Sequence, residues 1–379
     1  MASSNDNARI DALTGIRALA ALAVVGYHFN AEFSMLIPGW SSLNGLVAQG
    51  GLGVDLFFLL SGFILTHTYW AKFAQMRRAG YLKFVWFRFA RIYPAYLAAL
   101  LAAMGIVAVA KFRGLPFSAA SYPPEALVPE FFLVLGWWDP VRLGGGWNYP
   151  DWSVSAEWFA YLFVFPLAMM LVHRVRPAWA RAVFILLPVA GLAVMTWREA
   201  WPVSRSLWMV SCLFLAGSFV RAIRDQVSPG HAAWRHADVL SFLLCGGGLA
   251  LHHVAPPAVH GMLIHAAFAA LILSLSTARG PLVAFLSSRV MVYLGEVSYS
   301  LYLSHGVVQR VLKVLLPAQS MEGRGWFLQL AVAAIYWLVI LASAMLLHHL
   351  VEKPGRDICR RLYETRRLSR ARNQPISTA

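Results

Sequence analysis

The stretch LTGIRALAALAVVGYHF, Leu13–Phe29, decides how the rest of the chain is read. Apart from Thr14, Arg17, Tyr27 and His28 it is apolar throughout. At 1.5 Å per residue it spans most of a hydrocarbon core about 30 Å thick. Lipid offers no hydrogen bonds, so such a segment satisfies its own backbone only as a helix. Arg17 and His28 are then the anomaly, because an ionisable side chain inside a span costs about 2.5 to 3.5 kcal/mol on insertion scales. At about 100° per residue these two positions return to one face, about 16 Å apart along the axis. A polar stripe therefore runs along the first helix.

Further blocks of the same kind follow: Leu52–Tyr69, Pro94–Ala110, Ser155–Val172, Ala182–Trp197, Leu207–Val220, Val239–Val254, Ala258–Thr277, Val292–Leu315 and Trp326–Leu350. Hydrophobic residues make up 59% of the 379 positions and charged residues 13%, where a soluble domain has about 45–50% and about 25%. The expected fold is all-α, a polytopic membrane helix bundle of about ten transmembrane helices. Residues 1–351 are expected to form that domain, and 352–379 a basic cytoplasmic tail. The segment Glu125–Trp138 is apolar but short, bounded by Pro and Gly, and suits an interfacial or re-entrant helix better than a span. The first nine residues are polar and no small-residue cleavage site follows the first helix, so no cleavable signal peptide is expected.

A net charge of +15 would suggest nucleic acid in a soluble protein. In a membrane protein it reflects the accumulation of Lys and Arg on the cytoplasmic side, where they also meet anionic headgroups, and no nucleic-acid partner is expected. The segment Ala71–Tyr93 carries Lys72, Arg77, Arg78, Lys83, Arg88 and Arg91, and the tail after Glu352 is basic as well. Both are expected inside the cell, with both termini. The longest loop on the opposite side, Lys111–Val154, is acidic and aromatic, with Glu125, Glu130, Asp139, Asp151, Trp137, Trp138, Trp147 and Trp152. It suits a polar, ring-shaped substrate, or else belongs to the aromatic belt at the membrane surface. Cys212, Cys245 and Cys359 have no spacing that suggests a disulfide framework or a zinc site.

Several polar residues inside the spans are candidates for chemistry. The second span opens with Gly50, Gly51, Gly53 and Asp55. Small residues admit a neighbouring helix, and Asp55 starts at the depth expected for His28. A carboxylate there would orient an imidazole and stabilise its protonated form, or serve the dipole of its own helix. Arg88 and Arg91, at i and i+3, share a face at the cytoplasmic surface, and forked guanidinium groups suit phosphates, whether of a substrate or of lipid. In WSVSAEW, Trp152–Trp158, Ser153 and Glu157 enter the membrane from the outer side, and Glu157 is suited to binding a hydroxyl, transferring a proton or pairing with an Arg. Ser298, Tyr302 and His305 share a face of the ninth span. His305 offers a second proton acceptor, although hydrogen bonding between helices is the expected role of this trio.

Taken together these pieces resemble the acyltransferase-3 family of bacterial membrane acyltransferases. The matching parts are Arg17 with ten residues before His28, GVDLFFLLSGF from Gly53 to Phe63, RFARIYP from Arg88 to Pro94, WSVSAEW, and LGEVSYSLYLSH from Leu294 to His305. The resemblance implies O-acylation, usually O-acetylation, of a glycan, glycolipid or glycoside at a bacterial inner membrane, with cytoplasmic acyl-CoA as donor substrate and no permanently bound cofactor or metal. It also implies that His28 is catalytic and that Arg17, Arg88 and Arg91 are required. Acyl transfer to a hydroxyl needs a base and a group that stabilises the developing oxyanion. His28 is assigned as base and Asp55 as its orienting carboxylate. Arg88 and Arg91 are assigned to the donor phosphates, with Arg17 guiding the donor between them. Direct transfer and an acyl-histidine intermediate are both open at this point. The alternative is a transporter or flippase of a lipid-linked sugar or proton-coupled solute, since intramembrane His, Arg and Glu also mark transport pathways.

Overall fold

The computed structural model describes residues 4–72, 78–115, 121–138, 146–195, 204–227, 236–251 and 255–372. Arg77, Asp139 and the last residues of the tail lie outside them, as do the ends of the expected spans Ala182–Trp197 and Val239–Val254. The helices that organise the chain are α1 (Ser4–His28), α2 (Asn30–Leu36), α3 (Gly53–Tyr69), α4 (Arg78–Phe112) and α5 (Asp151–Arg174, with a π turn at Ala160–Val164). They are followed by α6 (Ala178–Met195), α7 (Arg205–Arg224), α8 (Ala237–Ala250), α9 (Pro257–Thr277), the short α10 (Pro281–Leu286), α11 (Arg289–Leu315) and α12 (Trp326–Leu347). A π turn, His348–Glu352, joins α12 to α13 (Lys353–Arg372).

Each expected span falls on one of these helices. Among the described residues, six helices are long and apolar enough to cross a membrane, or seven if α1 and α2, bent by 77° at Phe29, count as one broken span. The other three expected spans are α6 and α8, which are shorter, and α11, which is long but carries Glu296, Arg310 and Lys313. Such polar groups are tolerated because α11 packs between α1 and α12, with Ser298, Tyr302 and His305 buried. Outward-facing side chains such as Leu338, Leu346 and Leu350 are apolar and exposed, as a lipid-facing surface requires.

Close helix crossings rest on glycine. A Cβ on Gly62 of α3 would come within 2.0 Å of Phe214 O, and one on Gly217 of α7 within 2.0 Å of Leu59 O, so these two helices meet backbone to backbone. Gly295 of α11 gives the same approach to Thr14 of α1, which brings the Arg17 face of α1 onto the Ser298 face of α11.

Three segments differ from the sequence reading. The basic stretch expected as a loop is mostly helix, because α4 begins at Arg78, and the basic tail continues the last span as α13. Contacts of Trp86 with Cys359 and of Pro94 with Gly355 make α4 and α13 an antiparallel pair. The segment Glu125–Trp138 is no span, but neither is it one helix: it consists of short turns at Pro124–Ala126, Leu127–Phe131 and Leu135–Trp137, interrupted at Leu133, where φ is 58°.

Candidate functional site

The bend after α1 creates the first half of the site. In a continuous helix the His28 carbonyl would accept from the backbone four residues on. Here Gln309 Nε2 of α11 donates to His28 O at 2.6 Å and to Glu32 Oε1 at 3.0 Å. A side chain inserted into the ladder is a recognised cause of a kink, and it leaves the His28 ring at the open end of α1. Lys313 completes the anchor with an ion pair to Glu32 at 3.2 Å.

The His28 ring has two aromatic neighbours from other parts of the chain. Tyr149 stacks on it at 5.4 Å between centroids and 6° between planes, and His305 of α11 lies at 4.9 Å. His305 is fully buried; its Nδ1 lies 2.6 Å from Tyr302 O. A carbonyl only accepts, so Nδ1 carries the proton and Nε2 is a bare acceptor, with no hydrogen-bond partner among the described residues. Asp55 was expected beside His28 and is engaged elsewhere. Its Oδ2 pairs with Nε2 of His265 on α9 at 2.7 Å, and no hydrogen bond joins it to His28 among the described residues. Sequence spacing gave depth along each helix, whereas the partner depends on which helix faces α3.

The described part of the acidic, aromatic loop closes over this end, and its carboxylates Glu130 and Asp151 are structural. Trp147 N donates to Glu130 Oε1 at 2.6 Å, Asn148 Nδ2 donates to Leu303 O and to Asp151 Oδ1, and Arg310 Nη1 donates to Trp147 O. Glu130 and Asp151 are both 0% exposed, so neither is available to a substrate as the sequence suggested. Burial pushes the Glu130 carboxyl up to about 7, against the opposing pull of the Trp147 N–H and Arg310. Tyr149 and Trp152 are the loop residues that face the His28 cavity.

The second half of the site is an arginine pocket. Arg17 from α1, Arg88 and Arg91 from α4, Ser153, Glu157 and Tyr161 from α5, and Ser298 and Tyr302 from α11 line one cavity of about 130 Å³. Glu157, expected near the outer surface, belongs to this pocket: Ser61 Oγ donates to its Oε1 at 2.6 Å and Tyr161 OH at 2.5 Å. Arg88 and Arg91 are not equivalent. Arg91 forms an ion pair with Glu352, whose other oxygen accepts from Ser300 Oγ and faces His348 Nδ1. Arg88 Nε is buried without a partner, and neither Arg17 nor Arg88 forms a hydrogen bond or ion pair with another described side chain. Three guanidinium groups set against the Glu157 and Glu352 carboxylates leave hydrogen-bond donors over, which favours an anion there.

The halves meet at two residues. The His28 cavity, about 450 Å³, is lined by Val24, His28, Gln49, Leu52, Tyr149 and Trp152 among others, and Val54 and Tyr302 line both cavities. Tyr302 OH is 2.6 Å from Ser153 Oγ, so one hydrogen bond between α11 and α5 stands at the junction. The expected sharing of a face by Ser298, Tyr302 and His305 thus leads from the arginine pocket to His28.

Sequence reasoning missed Glu352, Ser61, Tyr161, Tyr149, Gln309 and His265. For Glu352 a signal exists, since an acid one turn after His348 closes the last apolar block, at the boundary with the basic tail.

The Acyltransferase domain family matches residues 10–348 of the chain. Acyltransferase MdmB of Streptomyces mycarofaciens is 31% identical over 402 residues, covering 98% of this chain and 95% of the relative. The peptidoglycan O-acetyltransferase OatA of Listeria monocytogenes is 31% identical over 182 residues, which is 41% of this chain and 24% of that protein. The O-acetyltransferase OatA of Staphylococcus aureus is 26% identical over 191 residues, 48% of this chain and 28% of that protein. No solved structure matches.

Proposed function

The chain belongs to the acyltransferase-3 family and is a multi-pass membrane enzyme that transfers acyl groups, and from that premise we propose that it moves an acyl group, acetyl in the simplest case, from cytoplasmic acyl-CoA to a hydroxyl of a glycan, glycolipid or glycoside on the other side of the membrane. The observation that carries this reading is the pair of cavities with Val54 and Tyr302 in both walls, one lined by three arginines and the other by His28. The partial likeness to O-acetyltransferases supports a hydroxyl acceptor.

The two cavities differ in what they suit. The arginine pocket, about 130 Å³, suits a thin phosphorylated arm, and the His28 cavity, about 450 Å³ and walled by Tyr149 and Trp152, suits a ring. In this reading Arg17 and Arg88 hold phosphate oxygens of the donor while its thioester lies near Tyr302. His28 takes the proton of the acceptor hydroxyl, whose oxygen attacks the thioester carbonyl. The C–S bond breaks, and the CoA thiolate leaves and takes up a proton. The bare His305 Nε2 accepts a hydrogen bond from His28 after a small ring rotation, which stabilises the protonated imidazole. Both termini, α13 and the amino-terminal part of α4 then lie in the cytoplasm of a bacterial cell.

Purified protein tests the proposal. Acetyl-CoA should be consumed in step with acetylation of a hydroxyl acceptor, and His28→Ala should stop both while leaving the amount of folded protein unchanged. Acceptor acetylation that continues at the normal rate in His28→Ala would reject the reading.

A further inference from the structure

The arginine pocket cannot hold a whole nucleotide thioester, since ligands of that size fill cavities of about 300 to 1,000 Å³. If the donor is acyl-CoA, as proposed above, its nucleotide end must rest outside that pocket. The antiparallel pair of α4 and α13 carries a surface suited to it. Phe87 of α4 and Tyr363 of α13 meet edge to face at 5.5 Å, and both are partly exposed. Lys83 Nζ stands 5.3 Å from the Phe87 ring centre and 6.0 Å from that of Tyr363, and Arg360 Cζ stands 5.5 Å from the Phe87 centre. Lys83 and Arg360 are exposed and stand over these rings, so each swings off a ring face to meet a phosphate while the base takes its place.

Position on α4 connects this cluster to the site. Lys83, Phe87 and Arg91 follow one another at i, i+4 and i+8, so they form one stripe, about 12 Å from end to end at 1.5 Å per residue. Arg91 already lines the arginine pocket. We infer that Phe87, Tyr363, Lys83 and Arg360 form a nucleotide subsite for the donor, stacking its adenine and binding its ribose phosphate, while the phosphorylated arm follows α4 into the arginine pocket.

Aromatic rings flanked by cations suit this ligand better than a lipid headgroup. Stacking of a base on an aromatic side chain is worth about 1–3 kcal/mol, and the cations add charge-assisted bonds to phosphate. A headgroup would meet the cations and the edges of the rings, but it has no flat base to stack on them. Asp357 and Glu364 share the Arg360 face of α13 at i−3 and i+4, but so do Arg356 at i−4 and Lys353 at i−7, so the face stays basic.

The test uses full-length protein in proteoliposomes with acetyl-CoA, acetyl-dephospho-CoA and S-acetyl-4′-phosphopantetheine as donors. Wild type should prefer acetyl-CoA to both truncated donors. Arg360→Glu and Lys83→Glu, both at exposed positions, should raise KM for acetyl-CoA about tenfold or more, erase that preference and leave KM for acetylphosphopantetheine unchanged. Tyr363→Ala should raise KM for both adenine-containing donors. An unchanged KM for acetyl-CoA in Arg360→Glu would overturn the subsite while leaving the donor reading intact. So would a loss that follows the anionic lipid content of the vesicles with donor preference intact. Turnover of no CoA thioester by wild type would overturn the donor reading itself, and the subsite with it.

Discussion

The rings of His28 and His305 lie 4.9 Å apart on α1 and α11, and the second is held by its Nδ1 against the carbonyl of Tyr302. This arrangement gives His28 a neighbour that can only accept a hydrogen bond through its free nitrogen. A carboxylate beside a histidine base would do more, because it would carry a full negative charge. In the proposed reaction His28, with a neutral partner, would rely on geometry for proton transfer, and Gln309 holds the backbone carbonyl of that residue.

Removal of the two histidines should therefore have unequal effects. His28→Ala should lower kcat by a factor of about 10² to 10⁴, the usual worth of a positioned general base. His305→Gln should lower kcat less and leave both KM values near normal, because it acts through His28 and touches neither phosphate nor acceptor. Steady-state kinetics on the two variants and on the double variant check this; additive losses in the double would separate the residues.

Arg88 and Arg91, adjacent in the motif, should fail in different ways. Arg91 is tied to buried Glu352, and removing one partner of such a pair costs about 3–5 kcal/mol. Arg91→Met should thus lower the unfolding temperature in detergent, and adding Glu352→Gln should restore part of it. Arg88→Met should spare stability and raise KM for the donor. Thermal unfolding and donor titration, run side by side, distinguish the two.

Asp55 should behave as a partner of His265. Asp55→Asn and His265→Gln should each destabilise the α3–α9 contact, and the double variant should be no worse than either single one, since the two share one interaction. A double-mutant cycle on unfolding measures the coupling.

Glu130 gives the fold a pH dependence of known sign. Its carboxyl titrates near 7 in the folded protein and near 4.5 in the free side chain. The folded state thus holds the proton more tightly, so this contribution is present at and below about pH 4.5 and is lost as pH rises through 7. Glu130→Gln, which keeps an oxygen for the Trp147 N–H, should flatten the fall in unfolding temperature between pH 5 and 8.

The helices were legible because lipid leaves little choice: an apolar block of the right length must be helical, and the described part of every expected block falls on a helix. The residues sharing one helix were legible as well, since Arg17 with His28, and Ser298 with Tyr302 and His305, follow from a period of 3.6. What crosses from helix to helix was not. Asp55 and His28 were matched by depth alone, and Asp55 turned out to face α9. Glu157 was assigned to the outer side by its place near the start of a span, while the inward course of α5 carries it to the arginines. The acidic loop reads as substrate-binding or as an aromatic belt because its sequence shows charge and rings but no burial; Glu130 and Asp151 hold the loop together.

The most direct test of the account is sidedness, because the proposed reaction has donor and acceptor arrive from opposite faces of the membrane, one to each of the two cavities that share Tyr302. In sealed vesicles of known orientation, acetyl-CoA should support acetylation only when supplied on the face that exposes α13, and a membrane-impermeant acceptor should be modified only on the other face. Modification of an acceptor confined to the same side as acetyl-CoA would contradict the account.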